Sequence, residues 1–428
     1  MIGFAGLSHL GIVSSAAAAA KGFEVVGYDA DASLCAALRK AAPPIAEPGL
    51  TALLGDVAPQ IRYTADSSDL AQCELIYISV DVPTDDANRS DLGSVGALLD
   101  EAARVAGAGA TLVVLSQVPP GFSRDAKAAI EPIGQKGLQL YYQVETLIFG
   151  NAVERALHPE RFIVGCDEHR KPLAAPLKAF LAAFGCPILP MRYESAELAK
   201  IAINHFLAAS VAMTNTLAEL CEAVSADWAE IAPALRLDRR IGPAAYLTPG
   251  LGLAGGNIER DLATVRSLAA RNGTDASVVE AIVRNSNHRQ KWGIREVRRA
   301  LDGRLTDTSS VAVWGLAYKR DTASTRNSPA LALIEALSPV PVRAYDPQAR
   351  VNGAYRHLTV VDAALDACRD ADVLAIMTPW PEFASVDLAE ITRAMRGRMI
   401  IDPFAVLDQA RCVSAGFSYS RLGSARGA

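Results

Sequence analysis

Across 428 residues the chain carries only seven cysteines, six histidines and four tryptophans. The cysteines, at 35, 73, 166, 186, 221, 368 and 412, are odd in number and form no CxxC pair. That pattern argues against a disulfide framework and leads us to expect a reducing, cytoplasmic setting. The histidines are scattered without ligand spacing, so no metal is expected. No basic block stands out either: 42 basic side chains meet 47 acidic ones, for a net charge of -5. Such a chain lacks the electrostatic footprint of a nucleic-acid binder. The Ala-rich run "SSAAAAAKG" is far too short for a bilayer, so no membrane partner is expected. The chain opens directly on a strand pattern, without the look of a signal peptide.

Half of the residues are apolar and 21% are charged, the composition of a globular protein. The length exceeds what one hydrophobic core supports, so two or three domains are expected. "MIGFAGLSHLGIVSSAAAAAKGFEVVGYDAD" reads as strand, glycine turn, helix and second strand. Further apolar runs at 73–80, 110–116, 138–143 and 161–165 alternate with helical patterns, which predicts a parallel sheet covered by helices. From Glu194 to about Ala223 there is neither proline nor glycine, and the periodicity predicts one long helix. "SSVAVWGLAYKRD" then restarts the strand-into-glycine-turn logic at Gly315. The expected fold is α/β, with two Rossmann-like βα domains joined by a helical central domain. The boundaries read from the sequence are 1–190, 191–302 and 303–428.

Several residues carry chemistry. Gly6, Ser8 and Gly11, with His9 and Leu10 between them, form a G-x-S-x-x-G turn where the dinucleotide fingerprint has a central glycine. Ser8 keeps a hydroxyl that could reach a phosphate oxygen. Asp29 ends the second strand 18 residues after Gly11, placed for ribose hydroxyls, and its charge favours NAD over NADP. Glu145 ends a strand-like stretch and is either a solvated carboxylate or an acid or base. Lys200 and Asn204 lie one turn apart on one helix face, suited to an alkoxide and to an oxygen or water. "TPGLGLAGGNIERD" (248–261) packs glycines ahead of Asn257 and Asp261. Asp261 could hold a water or the Lys200 ammonium, or simply favour a helix start. Upstream, Arg239, Arg240 and Tyr246 could grip a phosphorylated, ring-bearing substrate.

Together these stretches resemble the UDP-glucose/GDP-mannose dehydrogenase family over nearly the whole chain. "PPIAEPGLTALL", "VDVPT", "SQVPPGF", "VETLIFGNAVERALHPERFIVG", "SAELAKIAINHFLA", "RIGPAAYL" and "GLAYKRDTASTRNSPAL" follow the family's motifs in order. The resemblance implies an NAD-dependent oxidation of the C6 hydroxymethyl group of a nucleotide sugar, in the setting of polysaccharide biosynthesis. It implies catalytic roles for Glu145, Lys200, Asn204 and Asp261, and cofactor contacts at Val82, Thr84, Gln117 and Arg326 beside the first turn and Asp29. It implies substrate contacts at Leu147, Lys200, Asn204, Arg240, Tyr246, Leu247, Gly252, Gly255 and Lys319, with Arg240 reaching across a homodimer. One departure bears on the chemistry. Where the family places a nucleophilic cysteine, this chain has Asn257, and a carboxamide forms no covalent adduct with an aldehyde. The usual thioester step is therefore not expected: oxidation either stops at the aldehyde or proceeds directly on a hydrated aldehyde, supported by Glu145 or a water held by Asp261. The alternative is a non-catalytic NAD- or nucleotide-sugar-binding protein on the same fold.

Overall fold

A computed structural model describes the chain apart from residues 86–87, 134–136, 302–307, 352, 354 and 426–428. It divides into two compact units, Met1–Ile203 and Asn204–Ala428.

The first unit is built on eight strands, in the spatial order β3-β2-β1-β4-β5-β6-β7-β8. These are β1 Ile2–Ala5, β2 Val25–Tyr28, β3 Ile61–Thr64, β4 Leu75–Ile78, β5 Thr111–Val114, β6 Gln139–Gln143, β7 Phe162–Cys166 and β8 Ile188–Arg192. Strand β1 pairs in parallel with both β2 and β4, so the order reverses there and leaves a crevice at the strand ends. The first helix, His9–Ala20, is almost wholly buried. Its alanines keep it thin enough to lie close against the sheet.

One pairing departs from the expected parallel sheet: β6 and β7 run antiparallel, with Tyr142 opposite Gly165 and Gln143 opposite Val164. A parallel return needs a covering crossover, and the connection offers only the short helix Ala152–Leu157. The Val144 N–H extends the pairing to the Ile163 carbonyl at 3.0 Å. Glu145 therefore sits at the mouth of a wide hairpin.

The second unit holds a six-stranded parallel sheet ordered β11-β10-β9-β12-β13-β14. Its strands are β9 Val311–Trp314, β10 Val342–Tyr345, β11 Leu358–Val360, β12 Val373–Ile376, β13 Met399–Ile401 and β14 Ser418–Ser420. Their core includes Trp292, Trp314, Trp380 and Phe383. A smaller cluster, Ala208, Leu253, Leu262, Val279 and Ile282, anchors the glycine-rich segment to the helices around it.

The long helix spans Tyr193–Val224 without a break. Among the described residues it is the one helix long and apolar enough, by length and composition, to cross a membrane. Its Glu197, Lys200, Asn204, Thr214 and Asn215 nevertheless each bond to other protein groups. These bonds tie part of the helix surface to the rest of the chain. All seven cysteines are free thiols.

Candidate functional site

The first turn is shaped for close approach. A Cβ on Gly11 would lie 1.9 Å from the Gly6 carbonyl oxygen, so only glycine lets the helix begin so near the turn. Asp29 Oδ2 accepts the Leu7 N–H at 2.8 Å and Oδ1 accepts the Asp31 N–H at 3.0 Å, leaving further lone pairs for a ligand. A carboxylate at the end of β2 and a helix N-terminus behind a glycine turn fit an adenosine ribose and a diphosphate. Val82 and Thr84 follow β4 and Gln117 follows β5, on the same edge of the sheet.

Ser8 is engaged within the protein. Its hydroxyl donates to the Ser79 carbonyl at 3.2 Å and accepts the Asp81 N–H at 2.9 Å. The single hydroxyl proton thus bridges the β1–β4 crevice.

The third segment supplies an instructive contrast. Asp346, at the end of β10, occupies the position equivalent to Asp29 but is fully buried. It accepts N–H groups from Leu316, Ala317, Gln348 and Ala349, and the indole N–H of Trp380. A carboxylate saturated in this way stitches its own domain together and has nothing left for a ribose.

Two polar pairs involve the long helix. In the first unit, the Lys200 ammonium donates to the Glu145 carbonyl at 2.8 Å and lies 3.6 Å from Glu145 Oε2. Burial pushes the Glu145 carboxyl above its ordinary value; Lys200 opposes that shift and Asp81 adds to it. Glu145 also accepts the Leu147 N–H, which curls the loop over its own carboxylate. In the second unit, Asn204 Nδ2 donates to Asp261 Oδ2 at 2.6 Å. Asp261 is 1% exposed, and Arg260 Nε lies 3.6 Å from its other oxygen. This bond fixes the Asn204 amide so that its carbonyl end is left to accept.

The glycine-rich loop is held along its length by side chains of neighbouring helices. Thr214 donates to the Tyr246 carbonyl, Trp228 to the Leu247 carbonyl, and Asn215 accepts the Gly250 N–H. Ser286 accepts the Leu253 N–H, and a Cβ on Gly252 would meet the Ser286 carbonyl at 2.6 Å. Gly255 and Gly256 have positive φ, and their Cβ positions would strike the Tyr318 ring and the Arg326 guanidinium. The glycines therefore admit the protein's own residues from the 315–326 segment. Asn257 opens the helix Asn257–Asn272, its start secured by a bond from the Gly256 N–H to Glu259. Asn257 is exposed. Cys221 packs instead with Ala218, Trp228 and Ala232, where burial pushes its thiol up. Lys319 lies 5.8 Å from the Tyr318 ring, while Arg240 stands in solvent, paired with Asp238.

Two carboxylates escaped the sequence reading. Glu197, wholly buried, accepts the Gly121 and Ser123 N–H groups at 2.7 Å each and caps the helix Phe122–Ile130. Its signal was a position three residues before Lys200, on the same helix face. Glu47 is also buried, bonded to His9 and to two backbone N–H groups of the loop after Glu145. Its signal was one acid within an otherwise apolar and turn-rich stretch. Among the described residues no cluster of histidine, cysteine and carboxylate is arranged to hold a metal.

Known proteins match the chain over most of its length. Residues 1–180 match the NAD binding domain of the UDP-glucose/GDP-mannose dehydrogenase family, 194–289 its central domain and 312–409 its UDP binding domain. A UDP-glucose 6-dehydrogenase of Pseudomonas aeruginosa is 31% identical, covering 98% of this chain and 97% of that one. One from Rickettsia conorii is 28% identical over 99% of both chains. The structure of a UDP-glucose dehydrogenase from Pyrobaculum islandicum superposes with a TM-score of 0.86 at 27% identity, covering 96% of this chain and 95% of that one.

Proposed function

Because the chain belongs to the UDP-glucose/GDP-mannose dehydrogenase family, we propose that it oxidises the C6 hydroxymethyl group of a nucleotide sugar to the aldehyde and stops there. The observation that carries this reading is Asn257 at the head of its helix, with the nearest cysteine in sequence, Cys221, sealed in another cluster. An amide nitrogen is not nucleophilic enough to capture an aldehyde, so no thioester forms and the second oxidation lacks its usual route.

Gly6, Gly11 and Asp29 would hold NAD, which would supply the acceptor for the hydride leaving C6. Glu145, with its carboxyl held high by burial, takes the hydroxyl proton as the C–O bond gains double-bond character. The Lys200 ammonium stabilises the oxygen while negative charge develops on it. Asn204, its amide fixed by Asp261, accepts from the substrate through its carbonyl end. The 312–409 segment, with Lys319, takes the nucleotide, and UDP-glucose is the substrate to test first. Arg240 and Tyr246 stand exposed, and in a homodimer Arg240 reaches the neighbouring subunit's substrate. The free thiols suit the cytoplasm.

Incubation of the purified protein with UDP-glucose and excess NAD+ tests the reading. The expected result is one NADH per sugar, a product trapped by hydroxylamine, and no covalent enzyme adduct by mass spectrometry. Two NADH per sugar with an adduct on a cysteine would falsify it. Binding of both ligands without hydride transfer over a panel of nucleotide sugars would favour the non-catalytic alternative.

A further inference from the structure

One buried polar pair takes no part in the chemistry above. His9 is the first residue of the first helix, and its Nε2 lies 3.1 Å from Glu47 Oε2. Both residues are more than nine-tenths buried. A carboxylate only accepts, so the ring carries its proton on Nε2. Glu47 also accepts the Gly150 N–H at 3.1 Å and the Ala152 N–H at 2.8 Å. The Phe149 ring stacks on His9, with centroids 4.1 Å apart and planes at 22°. Two backbone donors already go far towards satisfying a buried carboxylate. The histidine adds a connection: it ties the loop that follows Glu145 to the residue that opens the dinucleotide-binding helix.

We propose that His9 is a positioning residue which, through Glu47 and Phe149, couples occupancy of the Gly6–Gly11 turn to the placement of the loop after Glu145. The inference rests on the cofactor reading above and goes beyond it. A diphosphate at the N-terminus of the first helix immobilises the turn. His9 belongs to that turn, so a fixed turn fixes Glu47, and Glu47 fixes the Gly150 and Ala152 amides. Cofactor binding then orders the segment Thr146–Asn151 on the side of the unit where Glu145 acts.

Amide hydrogen exchange of the full chain, with and without saturating NAD+, reads this coupling in peptides covering 146–152. In the native protein NAD+ is expected to slow exchange there about tenfold, in the range of ordinary coupling between sites. His9→Phe keeps a ring for Phe149 and loses the donor to Glu47. At NAD+ concentrations raised until calorimetry shows the variant saturated, it should lose most of the slowing. His9→Gln restores a donor and should recover part of it. Glu47→Gln, which weakens the same link from its other end, should behave like His9→Phe and serves if that variant fails to fold. Slowing retained in both His9→Phe and Glu47→Gln, or NAD+ binding to the native chain without any slowing, overturns the proposal alone. A native chain that binds no NAD+ by calorimetry overturns the cofactor reading and the coupling with it.

Discussion

Glu145 illustrates how one residue's surroundings set its chemistry. Burial raises its carboxyl above the ordinary value of 4.5, with Lys200 pulling the other way. The base is therefore lost at a higher pH than an exposed glutamate would allow. The acid limb of a kcat/KM profile should lie above 4.5, and Glu145→Gln should remove that limb while lowering the rate about 100-fold or more. The sign for stability is opposite: a raised folded pKa contributes fully below 4.5 and loses that contribution as pH rises through the folded value. Ser8 supplies a second prediction at this scale. Its hydroxyl occupies the Asp81 N–H, and its Cβ stands where backbone must approach the diphosphate. Ser8→Gly should tighten NAD+ binding about three- to tenfold by calorimetry, because a freed N–H can meet a charged oxygen. Unchanged or weaker binding would show that the bridge from Ser8 serves the cofactor after all.

Among the elements, the long helix does most of the positioning. Glu197, Lys200 and Asn204 follow at intervals of three and four residues along this helix. Glu197 makes this costly to disturb, because it replaces a capping side chain at Gly121, where glycine has none to offer. Glu197→Ala leaves two buried N–H groups unpaired and should cost about 2–4 kcal/mol. A thermal melt should register it as a Tm lowered by several degrees, with Glu197→Gln milder. An unchanged Tm would mean that water replaces the carboxylate. The glycine-rich loop follows the same logic, because Thr214 and Asn215 bond its backbone from later turns of that helix.

For the whole molecule the open surface is informative. Met213, Leu217, Leu220 and Val224 are exposed and recur at helical spacing along the long helix. An apolar stripe of that kind needs a cover, and a second copy of the chain supplies one in the proposed homodimer. Leu217→Lys combined with Leu220→Glu should shift sedimentation from dimer to monomer. Activity should fall with it, because Arg240 then has no neighbouring site to enter. A native chain that sediments as a monomer at micromolar concentration would contradict the homodimer.

Much of this was open to a reading of the residues alone. Period-two and period-3.6 patterns marked the strands, the long helix and the βα repetition, because burial of one face imposes those periods wherever the fold places them. Local chemistry also placed the Gly6–Gly11 turn, Asp29, the Lys200–Asn204 pair and the helix start at Asn257. The short strands β3, β8, β11 and β14 and the antiparallel β6–β7 pair were not legible, since pairing direction depends on how a connection packs. Partnership was decided only in three dimensions. Asp29 and Asp346 end equivalent strands, yet one keeps open lone pairs and the other is sealed by five donors. The same holds for Ser8, turned to the protein's own backbone, and for Glu47 and Glu197, acids whose backbone donors lie 74 to 105 residues away in sequence. Periodicity and local chemistry are properties of neighbours along the chain. Which lone pair stays free is settled only when distant backbone donors are brought to meet it.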